Sequence, residues 1–296
     1  MNDILFKEIK AKEKIIKKRK SDKIEKLGKS IIQHGKLNDR VILLSLNPED
    51  DNYEIIAEIE NLAEENSYSK IICLIRTDDL PDFILSGYKV EAYVPKFFDG
   101  KTDCIMVSKF LTEQRAKTPR KQLGLFSDLL EITEVEDNYE KLQNFRMESL
   151  NESHADEIAK ILQQTFASYP FPIETENILK GIQENRLFYF GIWDGDRIVG
   201  LSGAEINHKE KHAEVTDFAV LPEYRGKRFA FHLLKFTEEN LKQKNIKTAY
   251  AIARLSELGM NKTLLNASYK YSGTLVNNTH IAGQIESMNI YYKHLN

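Results

Sequence analysis

Cysteine is nearly missing from this chain: 296 residues hold two, Cys73 and Cys104, and both sit inside apolar runs. A disulfide-stapled secreted scaffold is thereby excluded, and two core thiols in a reducing compartment are expected. Charge of one sign is lacking too, since 42 Lys and Arg stand against 45 Asp and Glu for a formal net charge of −3. That balance gives no reason to expect nucleic acid as a partner. No apolar run approaches the roughly 20 residues of a membrane-spanning helix, and no apolar signal segment opens the chain. His, Cys and Asp show no metal-ligand spacing and no serine sits in a nucleophile motif, so neither a metal enzyme nor a serine hydrolase is expected. What remains is a cytoplasmic globular protein, long enough for two domains with a core each.

The most informative stretch runs from His212 to Leu234, HAEVTDFAVLPEYRGKRFAFHLL. Its first part, HAEVTDFAVL, is rich in β-branched and aromatic residues and reads as a strand. The chain then turns through Pro222-Glu223-Tyr224 into a helix that starts with Arg225-Gly226-Lys227-Arg228. The first N–H groups of a helix lack partners inside it, and the helix dipole favours an anion there. Gly226 lets the main chain approach closely, while Arg225, Lys227 and Arg228 add positive charge. In physical terms this is a phosphate site.

Strand, turn and Arg225-Gly226-Lys227-Arg228-Phe229-Ala230 in this order resemble motif A of the GNAT acetyltransferases, whose pattern is Arg/Gln-x-x-Gly-x-Gly/Ala. Arg225 and Ala230 fit the pattern. Arg228 stands at its central glycine, which puts one close backbone contact to a pyrophosphate in doubt. The resemblance implies an α/β (α+β) fold, a mixed central sheet flanked by helices, with acetyl-CoA as co-substrate. It places Phe218, Ala219 and Val220 along the pantetheine arm. Around the pyrophosphate it places Arg225, Gly226, Lys227, Arg228, Phe229, Ala230 and Phe231.

Residues 1–117 read as a first α/β domain. Lysines crowd residues 7–29, but the interspersed acids make this a solvated helix or strand pair, and residues 30–40 a polar loop. Strands 41–46 and 71–75 flank a helix, 53–65, whose Ile55, Ile56, Ile59 and Leu62 recur at helical spacing. A brief helix, 80–86, and strands 89–94 and 103–108 follow, the last two joined by the turn Asp99-Gly100. Residues 118–144 are polar and serve as a linker or an inter-domain helix. The second domain, 145–296, opens with a strand, an amphipathic helix over 152–168, the corner Tyr169-Pro170-Phe171-Pro172, placed as a wall of the substrate site, and two strands about Asp194-Gly195-Asp196. After the His212 strand and its helix come a strand at 248–253, a helix at 261–267 and strands near 270–276 and 287–292. This repeats the order of the first domain, which is read as a half or degenerate copy without the basic motif.

A narrower resemblance, to the β-lysine N-acetyltransferases, is carried by Ala253-Arg254, Gly259-Met260-Asn261, the run 272–283 and Glu286-Ser287-Met288-Asn289-Ile290. In the first half Gly87–Pro95, Phe97–Gly100 and Asn38-Asp39-Arg40 carry it. It implies acetylation of the N6 amine of β-lysine, giving a compatible solute. An amine attacks a thioester only when neutral, so a base is needed. The family places it at Glu214. Strand alternation sets Asp217 on the opposite face from Glu214, so the two are not expected to act as a pair. A backbone N–H near Val220 is the family's oxyanion donor. Tyr269, with Tyr271 as alternative, is the candidate acid for the leaving thiolate. Glu286 and Asp217 are candidates for the non-reacting ammonium, and Arg254, Asn261 and Asn289 for the carboxylate; His280 is expected to be structural. A homodimer is compatible with the sequence. Two other readings stay open: an acetyltransferase for a protein, tRNA or antibiotic amine, and a coenzyme-binding module without turnover.

Overall fold

The computed structural model describes residues 22–132, 134–135, 142–166 and 173–295, and every strand among them joins one 13-stranded sheet. The Tyr169–Pro172 corner and most of the lysine-heavy segment lie outside the described residues. The first half contributes β1 (Lys23–Leu27), β2 (Ser30–Gly35), β3 (Arg40–Ser45), α1 (Asn52–Glu65), β4 (Lys70–Arg76), α2 (Leu80–Leu85), β5 (Lys89–Phe98) and β6 (Thr102–Phe110). Short α3 (Glu113–Ala116) and α4 (Arg120–Ile132) lead to β7 (Arg146–Leu150), α5 (Ala155–Thr165) and α6 (Thr175–Gln183). The second half follows with β8 (Leu187–Asp194), β9 (Arg197–Asn207), β10 (His212–Val220), α7 (Phe229–Gln243), β11 (Thr248–Arg254), α8 (Leu258–Asn266), β12 (Lys270–Ile281) and β13 (Gln284–His294).

The strands lie in the order β1-β2-β3-β4-β6-β5-β12-β13-β11-β10-β9-β8-β7. Read inward from either side, β1-β2-β3-β4-β6-β5 has the connectivity of β8-β9-β10-β11-β13-β12. Each run is an antiparallel meander, a parallel step across a helix (β3 to β4, β10 to β11) and a hairpin. The runs meet where β5 and β12 pair antiparallel at Gly273 and Ala92. A Cβ on Gly273 would lie 2.1 Å from Glu91 O, so only glycine admits this approach.

Polar contacts hold the seam as well as apolar ones. Lys70 is fully buried, and its ammonium donates to Glu91 Oε2 at 2.6 Å and Val276 O at 2.7 Å. Burial lowers its pKa to about 8, against the pull of Glu91. Arg40 and Arg115 both donate to Asn278 O, at 2.9 and 3.2 Å, where the far end of β12 crosses the first half. An apolar cluster beside them mixes Ala92, Val94, Phe97, Cys104 and Met106 with Leu275, Met288 and Ile290.

Several elements differ from their sequence reading. Residues 30–35 are strand β2, not loop, because Gln33 and His34 are buried; His34 spends both ring nitrogens on Tyr68 Oη (3.0 Å) and Glu25 Oε1 (2.8 Å). Of the two readings of residues 118–144, the helix is the one found over 120–132, and it buries Phe126 and Leu129 in the core of the second half. Strands β12 and β13 run to a turn at Ala282-Gly283, where both residues have positive φ, so the hairpin is much longer than the expected 270–276 and 287–292. The Asp99-Gly100 turn is present, with φ of 52° and 69°.

Candidate active site

Strands β10 and β11 pair in parallel only from His212 with Thr248 to Glu214 with Tyr250. Beyond that point β10 stays on β9 as far as Val220, and β11 stays on β13 as far as Arg254. The facing edges of residues 215–220 and 251–254 therefore separate into a wedge lined by peptide groups that no ladder pair joins. A bulge between Thr216 and Ala219, with Asp217 in the left-handed region at φ 56°, bends β10 here. Peptide groups exposed this way suit a ligand that itself carries amides, added as though it were a strand.

One end of the wedge carries the basic turn. A 3-10 turn over Pro222–Tyr224 precedes Gly226 at φ 80° and Arg228 at φ 62°, and no side chain caps the start of α7. Arg228 thus takes the left-handed conformation that the motif's glycine would supply, at a cost of about 1–2 kcal/mol. Its guanidinium lies 4.8 Å from the Phe231 ring centroid. Arg228 and Phe231 face Gly259, Lys262, Thr263 and Asn266 across a cleft of about 390 Å³. These four residues of α8 recur at i, i+3, i+4 and i+7, one helix face. Lys262 escaped the sequence reading, although its spacing from Gly259 and Asn266 was there to be used. Replacing Lys262 by Ala together with Arg228 by Gly, which keeps the left-handed turn, is expected to raise Kd for CoA thioesters about tenfold per cation removed. Titration calorimetry checks this; an unchanged Kd would count against a phosphate site in the cleft.

The opposite face of the sheet carries acids. Glu205 pairs with Glu214 and Glu214 with Tyr250, while Tyr189 pairs with Gly203, so all project to one side. Tyr250 Oη donates to Glu214 Oε2 at 3.1 Å, and Tyr189 Oη donates to Asp217 Oδ2 at 2.7 Å. Asp217 therefore shares the face of Glu214, against the expectation from alternation: the bulge and positive φ shift the phase of β10. Burial pushes the Glu214 pKa up to about 8, and the charges of Glu205 and Asp217 add to this; the Tyr250 hydrogen bond opposes it. Once ionised, as pH rises through about 8, a carboxylate so poised can take a proton from an ammonium. Glu205, also missed in the sequence, is held by Arg186 at 2.6 Å.

Farther along this face stand Ile252 and Arg254 of β11, opposite Ile290 and Met288, with Glu286 two residues before Met288. Arg254 pairs with Glu257 at 2.7 Å, and Glu286 accepts from Ser256 Oγ at 3.2 Å and Gln284 Nε2 at 2.7 Å. Glu214, Asp217, Arg254 and Glu286 are thus brought to one side. Asn261, Asn289 and Tyr269 are not. Asn261 and Asn289 are fully buried beneath α8 and bonded to each other at 2.8 Å. Asn261 also donates to Arg254 O and Glu257 O and accepts from Tyr291 Oη, which leaves its amide nothing for a substrate. Tyr269 is buried on the α7 side in the cluster of Ala213, Val215 and Leu234, below Lys293, so its phenol lies across the sheet from Glu214. Tyr271, on that same side, is bonded to Thr274 Oγ1 at 2.7 Å.

Among the described residues no His, Cys, Asp or Glu group is arranged to hold a metal, and no helix is long and apolar enough to cross a membrane. The acetyltransferase (GNAT) family model matches residues 155–261, which span the second half from α5 into α8. A β-lysine N(6)-acetyltransferase of Methanococcus maripaludis is 35% identical over 92% of this chain and 98% of its own length. An N-acetyltransferase of Bacillus subtilis, YodP, is 29% identical over 90% of this chain and 96% of its own. A β-lysine N(6)-acetyltransferase of Methanosarcina mazei is 25% identical over 82% of this chain and 97% of its own.

Proposed function

Since the chain belongs to the acetyltransferase (GNAT) family, alongside the β-lysine N(6)-acetyltransferases, we propose that it acetylates the N6 amine of β-lysine with acetyl-CoA. The observation that carries the substrate is the match to the Methanococcus maripaludis enzyme, which extends over the first half of the chain as well as the acetyltransferase region. The wedge between β10 and β11, the uncapped start of α7 and the Lys262 cleft support a coenzyme bound along Phe218–Val220 and around Arg225–Phe231. When bound, acetyl-CoA supplies an activated acyl group.

The chain's own residues do the rest. Glu214 takes one proton from the N6 ammonium, and the neutral amine then attacks the thioester carbon. As the N–C bond forms and the C–S bond breaks, the second proton leaves the nitrogen and the departing thiolate takes one up from solvent, giving amide and free thiol. Asp217 and Glu205 hold the second ammonium, which suits a substrate with two cations. Arg254 faces the carboxylate from four residues along β11, about 13 Å of strand away from Tyr250. Glu286, on the same face, is a further candidate to hold the second ammonium. The product is a neutralised amine on a zwitterion, the chemistry of a compatible solute, made in the cytoplasm.

The same proposal takes residues 1–117 as a degenerate copy, 118–144 as connection, and 145–296 as the catalytic unit. Where α7 opens on Arg225–Arg228, α1 opens on Asp51, whose carboxylate accepts from Tyr53 N and Glu54 N. With Glu49 and Asp50 ahead of it, that helix start already holds an anion of its own and repels phosphate.

Thiol release from acetyl-CoA, measured with β-lysine, α-lysine, a diamine and a basic peptide, tests the proposal. The highest kcat/KM is expected for β-lysine, and preference for the peptide would replace it with a protein acetyltransferase. Asp217→Asn is expected to raise the KM for β-lysine about tenfold, one charge-assisted hydrogen bond, with the Kd of acetyl-CoA unmoved.

A further inference from the structure

The tip of the β5–β6 hairpin, from the first half, is clamped onto the strand starts that lead to Glu214. Asp99 N donates to Glu210 O at 2.6 Å, Arg76 pairs with Glu210 at 3.0 Å and Lys211 with Asp99 at 2.5 Å. Thr248 Oγ1 donates to Lys96 O at 2.7 Å. A register shift in β5 between Val94 and Phe98, with Lys96 at φ 52°, turns Phe97 beneath these contacts. The Phe97 ring is 2% exposed. It stacks on the His212 imidazole at 3.9 Å between centroids and meets the Tyr250 ring at 5.1 Å. Tyr250, also edge-on to His212 at 5.8 Å, is the residue that donates to Glu214.

We infer that Phe97 and Tyr250 are positioning residues for the acetyl transfer: Phe97 fixes the Tyr250 ring, and the Tyr250 phenol fixes the Glu214 carboxylate. The first half of the chain thereby acts on the reaction through an aromatic contact. The inference rests on Glu214 being the base. The groups facing Glu214 are Glu205 from β9, which Arg186 neutralises in part, Asp217 from β10, bonded to Tyr189 of β8, and Tyr250 from β11. His212, on the same strand, is held neutral by burial, its pKa pushed down to about 3. Phe97, from β5, brings no charge. Tyr250 is the group whose hydrogen bond holds the Glu214 pKa down against burial and its acidic neighbours.

The test is the pH profile of kcat/KM for the whole chain and for Tyr250→Phe, Phe97→Leu, their double variant and Glu214→Gln. Tyr250→Phe keeps the ring and removes the phenol, so the acidic limb should move up by about one pH unit, the loss of one hydrogen bond to a charged group. Phe97→Leu should move the limb the same way in the natural background and leave it in place when Tyr250 is already Phe. A limb that stays where it was in Tyr250→Phe, or a Phe97→Leu shift that simply adds to it, overturns the inference. If Phe97→Leu does not fold, Phe97→Met takes its place in the cycle. Glu214→Gln separates the two levels of the argument. Full activity in that variant removes the base reading and this inference with it. Lost activity there, with an unmoved limb in Tyr250→Phe, removes only the inference.

Discussion

Glu214→Gln should lower kcat at pH 7 by about 10²- to 10⁴-fold, the range for loss of a positioned general base, while Kd for acetyl-CoA stays where it was. The carboxyl has its pKa raised to about 8 by burial and by Glu205 and Asp217, so in the natural protein it is largely protonated at pH 7. Activity should therefore rise with pH through about 8 as the base forms. The variant has no such group, and its residual rate should follow only the deprotonation of the amine itself, climbing on toward higher pH. Stability supplies an independent sign. The folded pKa lies above the ordinary 4.5, so the unfolded chain releases this proton first, and the folded state is penalised increasingly from about pH 4.5 to about 8. Glu214→Gln should consequently be the more stable protein at pH 8 and indistinguishable from the natural one at pH 4. A variant that lost both activity and stability at pH 8 would speak for misfolding instead of a missing base.

Gly273→Ala should cost more than about 3 kcal/mol, the range of backbone clashes that a core cannot relax, and lower Tm by roughly 5 °C or more. The added carbon would sit 2.1 Å from Glu91 O and 2.7 Å from Ala92 Cα, and the φ of +148° is one that alanine avoids. Both obstacles are backbone, so no rotamer change relieves them. Gly124→Ala is the matching control. Nothing lies within 4 Å of its new carbon, which sits inside α4, and it should be neutral or stabilise by up to about 1 kcal/mol. Scanning calorimetry of the two proteins separates the seam from a general intolerance of glycine replacement. Because Gly273 brings β12 to β5, and β5 carries Phe97 to Tyr250, activity should fall in Gly273→Ala even below its Tm.

The parts of the fold that were legible in the sequence are those where one local rule suffices. The spacing of Ile55, Ile56 and Ile59 makes α1, and Asp99-Gly100 makes a hairpin turn. The basic start of α7 was readable because a helix terminus leaves N–H groups that only a few residue types serve. What escaped depends on partners distant in sequence. Residues 30–35 read as polar because nothing nearby announces that Tyr68 and Glu25 will satisfy His34. Asn261 and Asn289 looked like substrate ligands because an amide saturated by Arg254 O, Glu257 O and Tyr291 has the same letter as one facing a cleft. Period-two counting puts Asp217 on the wrong face because it has no means of foreseeing a bulge whose left-handed residue is an aspartate. Tyr269 is an acid candidate only on family grounds, and its burial beneath Lys293 is a property of how α7 packs.

The meeting of β5 with β12 also bears on how the chain is made. Strand β5 is complete once Phe98 has left the ribosome and β6 follows at once, but its second neighbour in the sheet, β12, waits for Gly273. At about 5–20 residues per second, the β5 edge stays open for on the order of ten to thirty seconds. An open apolar edge invites pairing with other nascent chains. The composition of β5 counters that hazard: Lys89, Glu91 and Lys96 place charge along it, and Pro95 withdraws a backbone donor. Glu91, already beside Lys70 of β4, later accepts the N–H of Val276, so a charge that guards the edge during synthesis becomes the clasp that closes it.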